Sequence, residues 1–159
     1  SVSILRIGLR HVRIRQYVEQ DELLHRCPLL RSLSQNERDD LLQGARAMTA
    51  RRSRIILREG QTSDALWLVL DGAVSLAIDD GVTDLGMLGK GDFFGIAAVD
   101  AQAARPRARA ESDVHLAGLH AEKIGLLCQL VPQLARVIAS VSGSRKKLAD
   151  AGADFMDRW

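Results

Sequence analysis

The spacing of apolar residues divides the chain into a helical stretch, a strand-rich middle and a second helical stretch. Between Ser1 and Gln20, Ile4, Ile7, His11, Ile14 and Val18 share one helical stripe, with Leu5, Leu9 and Val12 beside it. This spacing predicts an amphipathic helix whose other face carries Arg6, Arg10, Arg13 and Arg15. Val12-Arg13-Ile14-Arg15 alternates, so a strand stays open for those four residues. The helical pattern continues from Asp21 to Cys27, and Pro28 ends or kinks it. Ser34 followed by Glu37 forms a capping box that opens a further helix. That helix is expected to reach about Ala45 and to bury Leu41, Leu42 and Met48.

From Arg51 the period becomes two. Ile55-Ile56-Leu57, Leu66 to Leu70, Ala73 to Ile78 and Val82 to Leu88 read as strands, separated by Glu59-Gly60, Asp71-Gly72 and Asp79-Asp80-Gly81. Arg107 to Leu119 supplies the last strands. Helical spacing returns at Ala121 to Cys128. Pro132 opens a final helix with Leu134, Val137, Ile138 and Val141 on its apolar stripe. Gly143 weakens it, Arg145-Lys146-Lys147 continues it, and Gly152 to Trp159 receives no assignment. The fold class is therefore α+β: an antiparallel jelly-roll sandwich flanked by N-terminal and C-terminal helices.

Composition narrows the function. A chain of 159 residues fits one domain with a real core, and 47% hydrophobic with 26% charged residues is ordinary for a globular protein. A net charge of +2 is too small to argue for bulk nucleic-acid binding. Cys27 and Cys128 lie far apart in apolar surroundings, which favours reduced core thiols and a cytoplasmic setting over a disulfide. No apolar run approaches the ~18–20 residues that span a bilayer, and no signal peptide is visible. The chain starts without methionine and mid-pattern, as a fragment of a longer protein would, so it could be the soluble domain of a membrane protein. His115 and His120 find no third ligand at metal spacing, so no metal site is predicted. Nucleotide fingerprints and hydrolase signatures are missing too, which argues against an enzyme and names no catalytic residue.

The chemistry concentrates between Gly86 and Ala110. Gly86, Gly89, Gly91 and Gly95 lead into Ile96-Ala97-Ala98-Val99, and a loop with Arg105, Arg107 and Arg109 follows. Glycines let the backbone approach a ligand, a helix start offers unpaired N–H donors, and guanidinium forks match phosphate oxygens. These features predict a pocket for a small phosphate.

This order of glycine turn, Phe94-Gly95, short helix, arginine loop and Arg109-Ala110 strand resembles the phosphate-binding cassette of cyclic nucleotide-binding domains. Glu59-Gly60 and Asp71-Gly72 fall in the family's order, and the likeness spans roughly Leu29 to Leu148. It implies a coupling segment at 1–28, the binding domain at 29–150 and a tail at 151–159. It implies cyclic AMP or cyclic GMP as ligand, held by Phe94, Gly95, Ile96, Ala97, Ala98, Arg105, Pro106 and Arg107, with Ala97 and Ala98 donating backbone N–H. The final helix would close over the base and relay binding to a transporter, channel or other effector. A homodimer or an adjoining domain is the implied protein partner.

Two family contacts are missing. Ile96 stands where a glutamate commonly binds the ribose hydroxyl, and Pro106 stands where a small hydroxyl residue helps hold the phosphate. Counting forward from Gly95 gives Arg105 as the phosphate arginine, counting back from Arg109-Ala110 gives Ala104, and Arg107 is a second candidate. A degenerate pocket on an interaction or dimerisation domain, or a site for a cyclic dinucleotide, therefore stays open beside the sensor. DNA-binding relatives need a helix-turn-helix after the final helix, and about a dozen residues after Lys147 are too few for one, so no nucleic-acid partner is expected.

Overall fold

A computed structural model describes Ile14 and residues 21–157. Strands β1 (Arg46–Ala50), β3 (Ala65–Asp71), β6 (Phe93–Phe94) and β8 (Val114–His120) form one sheet in the order β1-β8-β3-β6. Strands β2 (Ile55–Leu57), β4 (Val74–Ile78), β5 (Thr83–Leu88) and β7 (Arg107–Ala110) form the other in the order β2-β7-β4-β5. Every pairing is antiparallel, and the chain passes repeatedly from one sheet to the other. This is the expected jelly-roll sandwich.

The sequence of β3 explains the layering. Ala65 to Leu70 are all buried, because this strand is covered on both faces. Ala65, Trp67 and Val69 join Leu76, Leu85, Phe94 and Ala108 between the sheets. Leu66, Leu68 and Leu70 join a second core under the helices, which also holds Phe93, Ile96, Leu134 and Ile138. Those helices are α1 (Asp21–Arg26), α2 (Pro28–Arg31), α3 (Gln35–Gln43), α4 (Ala121–Leu130) and α5 (Pro132–Asp157). Where Trp67 lies opposite Gly118 on β8, a Cβ on Gly118 would come within 2.8 Å of the indole ring. The absence of a side chain there lets the ring lie flat in the sandwich.

Local signals placed the helix starts well. Ser34 Oγ accepts the Glu37 N–H at 3.2 Å, and Glu37 Oε1 accepts the Ser34 N–H at 2.8 Å. Pro28 and Pro132 each begin a helix. The expected run of α3 to Ala45 is corrected: the helix stops at Gln43, and Arg46 to Ala50 is already a strand. Unbroken pairing from Arg46↔Gly118 to Ala50↔Val114 fixes that strand, so Met48 reaches the sandwich core from β1. Gly143 does not interrupt α5, which continues past Gly152, where Thr83 packs too closely to admit a Cβ. The helix expected over Ser1 to Gln20 lies outside the described residues, except that Ile14 is helical and 1% exposed in the helix-side core. Both cysteines are free thiols, and burial pushes Cys27 up to about 11.

Candidate functional site

The glycine turn is tied to the central strand by its own backbone. Gly91 donates to the Val69 carbonyl and Val69 donates to that of Asp92, both at 2.9 Å, while Asp92 Oδ2 accepts the Gly89 N–H. β6 follows, with Phe94 facing the sandwich core and Phe93 the helix-side core. Gly95 then turns at φ 82°, and a Cβ there would sit 3.1 Å from the Ala65 carbonyl oxygen. Glycine meets both demands at once. Beyond it Ile96–Ala98 forms a single 3-10 turn, in which Ala98 donates to the Gly95 carbonyl at 3.0 Å. The N–H groups of Ile96 and Ala97 precede that first bond, and the turn leaves them without an internal acceptor.

The turn separates two concavities that share Gly95, Ala104 and Pro106 as a wall. The first is a shallow concavity that opens on the sandwich side over Leu57, Leu76 and Phe94, with Gln61, Ser63 and Arg105 at its polar edge. The second lies toward the helices and is lined by Ile96, Ser142 and Arg145.

The expected site residues divide between these spaces. Phe94, Gly95, Ala97, Ala98, Arg105 and Pro106 line the first concavity. Arg105 is exposed, and its carbonyl accepts the Gly60 N–H at 2.8 Å, which anchors the arginine loop to the Glu59-Gly60 turn. Ile96 faces the other way: it is 4% exposed, packs in the helix-side core and lines only the second concavity. Arg107 lines neither. Alternation along β7 buries Ala108 and Ala110 and sends Arg107 to the outer face, with its guanidinium against Gly81 of the β4–β5 turn. The Ala98 N–H, expected to face the ligand, is given to the Gly95 carbonyl in this structure. β2 carries an extra residue against β7 between Ile55 and Leu57, a bulge just beyond the loop where the two arginine counts disagree.

Sequence reasoning missed Arg145. Its guanidinium reaches from α5 into the second concavity, donates to the Phe93 carbonyl at 2.5 Å and lies 5.8 Å from the centre of the Phe93 ring. Burial pushes it down to about 10, against the pull of the Asp92 carboxylate, so it stays a cation at neutral pH. The contact joins α5 to the residue two positions before Gly95. Arg145 falls on the stripe of Leu134, Ile138 and Val141, a spacing that could have marked it as inward-facing.

Among the described residues, no group of His, Cys, Asp and Glu could hold a metal, and no single helix is long and apolar enough to cross a membrane.

Comparison with known proteins agrees with this geometry. The family model for the cyclic nucleotide-binding domain matches residues 48–129. A cyclic nucleotide-gated potassium channel of Mesorhizobium japonicum is 28% identical over 149 residues, covering 92% of this chain and 41% of the channel. The chain thus spans about two fifths of the length of the curated channels it matches. The catabolite activator protein of Thermus thermophilus is 28% identical, with a TM-score of 0.64 over 82% of this chain and 63% of that one. A kinase regulatory domain, PKAR CBD2 with Sp-2Cl-cAMPS bound, shares the fold at a TM-score of 0.69 and 17% identity, over 91% of this chain and 92% of that one. With its sandwich, its glycine turn and the match over residues 48–129, this chain belongs to the cyclic nucleotide-binding domain family.

Proposed function

We propose that the domain senses the phosphate of cyclic AMP or cyclic GMP in the first concavity and passes occupancy to α5. The carrying observation is a juxtaposition. Arg105 and the residue that carries an open N–H, Ala97, line one concavity, while Arg145 hooks α5 onto Phe93 immediately before that turn. A cyclic phosphate offers oxygens to the guanidinium fork in a charge-assisted contact. Drawing the turn toward the phosphate shifts the strand that precedes it, and the Arg145 contact carries that shift into the helix. A ligand drives such a change only by binding one arrangement better than the other. The relatives include channels and a kinase regulatory subunit, so the effector is read as an adjoining module of a larger protein or a second copy of this chain.

The departures set the affinity. The Ile96 and Pro106 side chains offer the ligand no hydrogen bond, and each missing partner for a buried polar group costs about 1–3 kcal/mol. Binding weaker by tenfold or more than in a fully equipped site is the expectation. Calorimetry with cyclic AMP, cyclic GMP and a cyclic dinucleotide tests the reading. Heat with a mononucleotide, lost in Arg105→Ala, supports it. Heat with the dinucleotide alone assigns the site to that ligand. No heat with any of them makes the domain a non-sensing interaction module, the reading that the engaged Ala98 N–H favours.

A further inference from the structure

A third concavity lies at the end of the sandwich away from the 3-10 turn. On β8, His120 pairs with Ala65, whose carbonyl lies against Gly95, whereas Val114 and His115 at the other end of the strand line this concavity. A strand of seven residues covers roughly 20 Å, so the two places are separate. The concavity holds about 450 Å³, inside the ~300–1,000 Å³ typical of small-molecule sites. Thr49, Arg51, Arg54 and Asp113 supply its polar lining beside His115.

The turn between β1 and β2 builds one wall. Arg51 and Arg54 are the two ends of a β-turn, closed by the Arg54 N–H on the Arg51 carbonyl at 3.1 Å. Their Cα atoms therefore lie within about 7 Å, and both side chains line the same space. Main-chain bonds hold that turn still. Ser53 donates to the Ala110 carbonyl at 2.7 Å, Ala110 donates to that of Arg54 at 2.9 Å, and Arg52 donates to Asp113 Oδ1 at 3.0 Å. Arg46 and Arg109 each have a carboxylate partner, but among the described residues none of Arg51, Arg52 and Arg54 forms an ion pair. Two further carboxylates stand at this end. Glu111 is held by Arg109 and by Ser75, and Asp71 sits opposite His115 on β3 without lining the concavity.

We propose that this concavity is a second binding site, for a phosphorylated polyol. Arg51 and Arg54 take the phosphate oxygens as paired guanidinium forks, and Arg52 adds a third positive charge from the same turn. A bare anion would meet Asp113 as a like charge. Hydroxyl groups turn that carboxylate into a partner, because its second oxygen and the Thr49 hydroxyl accept their hydrogens. A free sugar or inositol phosphate and a phosphoinositide headgroup share this chemistry. The site is independent of the nucleotide reading.

Calorimetry on the full chain with inositol trisphosphate tests it, with inorganic pyrophosphate as an anion that lacks hydroxyls. Inositol trisphosphate should bind more tightly than pyrophosphate. Its affinity should fall at least tenfold in Arg51→Gln/Arg54→Gln, with the melting temperature unchanged because both residues are exposed, and should be intact in Arg105→Ala. Co-sedimentation with vesicles of phosphatidylcholine carrying either phosphatidylinositol bisphosphate or phosphatidylserine at equal surface charge separates the sources. Preference for the former assigns a lipid headgroup, and equal binding assigns the free phosphate. Pyrophosphate as tight as inositol trisphosphate overturns the polyol assignment. No heat with inositol trisphosphate, equal binding in the double variant, or loss in Arg105→Ala instead overturns the site.

Discussion

Arg145→Met removes the side chain that joins α5 to the cassette while keeping an unbranched apolar stem in the helix. The native guanidinium makes one charged hydrogen bond to the Phe93 carbonyl and a ring contact at 5.8 Å. A hydrogen bond involving a charged group is worth about 1.5–3 kcal/mol, and a cation over an aromatic face adds about 0.5–2 kcal/mol. Against this stands the cost of burying the cation, seen in the downward push to about 10, which methionine does not incur. The net expected loss is about 1–2 kcal/mol. For a domain of this size that lowers the melting temperature by roughly 2–8 °C. Lys146→Met is the control, because Lys146 is the exposed neighbour and a surface change away from special contacts stays within about 0.5 kcal/mol. Both variants are followed by thermal melting and by amide exchange of Phe93 and residues 96–98. Arg145→Met should melt earlier and exchange faster at those positions. If the two variants behave alike, Arg145 does not hold the helix to the cassette, and the relay argument fails.

Three further outcomes follow from the same contacts. Arg105→Ala should abolish mononucleotide heat with little change in melting, whereas Arg107→Ala should leave binding intact, because Arg107 lies against Gly81 away from the concavity. Equal loss of binding in both would put the wrong arginine at the phosphate. Cys27 is held protonated by burial to about 11, above its ordinary value of 9.0. Its contribution is complete below pH 9 and is lost as pH rises to about 11, so the native protein should lose about 2–3 kcal/mol more than Cys27→Ala across that window. Parallel denaturant-melting profiles for the two would contradict this. Gly118→Ala places a Cβ 2.8 Å from the Trp67 ring and should cost about 1–3 kcal/mol by overpacking, read as a lower urea midpoint. An unchanged midpoint would show that the ring yields freely.

Much of the scaffold was legible because local chemistry and tertiary packing agree there. The Ser34–Glu37 box, the helix-opening prolines and the continuous apolar run of β3 each require one structure. β1 was hidden because Arg46-Ala47-Met48-Thr49-Ala50 shows no clean alternation, and its state is set by pairing with β8 some seventy residues later. The extension of α5 beyond Gly152 was hidden for a similar reason, since a close approach to Thr83 cannot be read from a glycine-containing tail. At the site, the glycine turn and the arginine-rich loop were legible from composition and spacing, while the choice of Arg105 within that loop came from the family resemblance. The direction of Ile96 did not, because a two-sided sheet leaves an apolar residue two cores to choose from. Arg145 stands in a basic run with Lys146 and Lys147, and only its place on the apolar stripe separates it from them.

The central claim is that phosphate at the 3-10 turn and the position of α5 are coupled. Residue-resolved amide exchange on the full chain, with and without saturating cyclic AMP, tests it most directly. The account predicts slower exchange at Ile96 and Ala97 together with altered protection around Ser142 to Arg145. Bound nucleotide that slows the turn and leaves that part of α5 unchanged would contradict it.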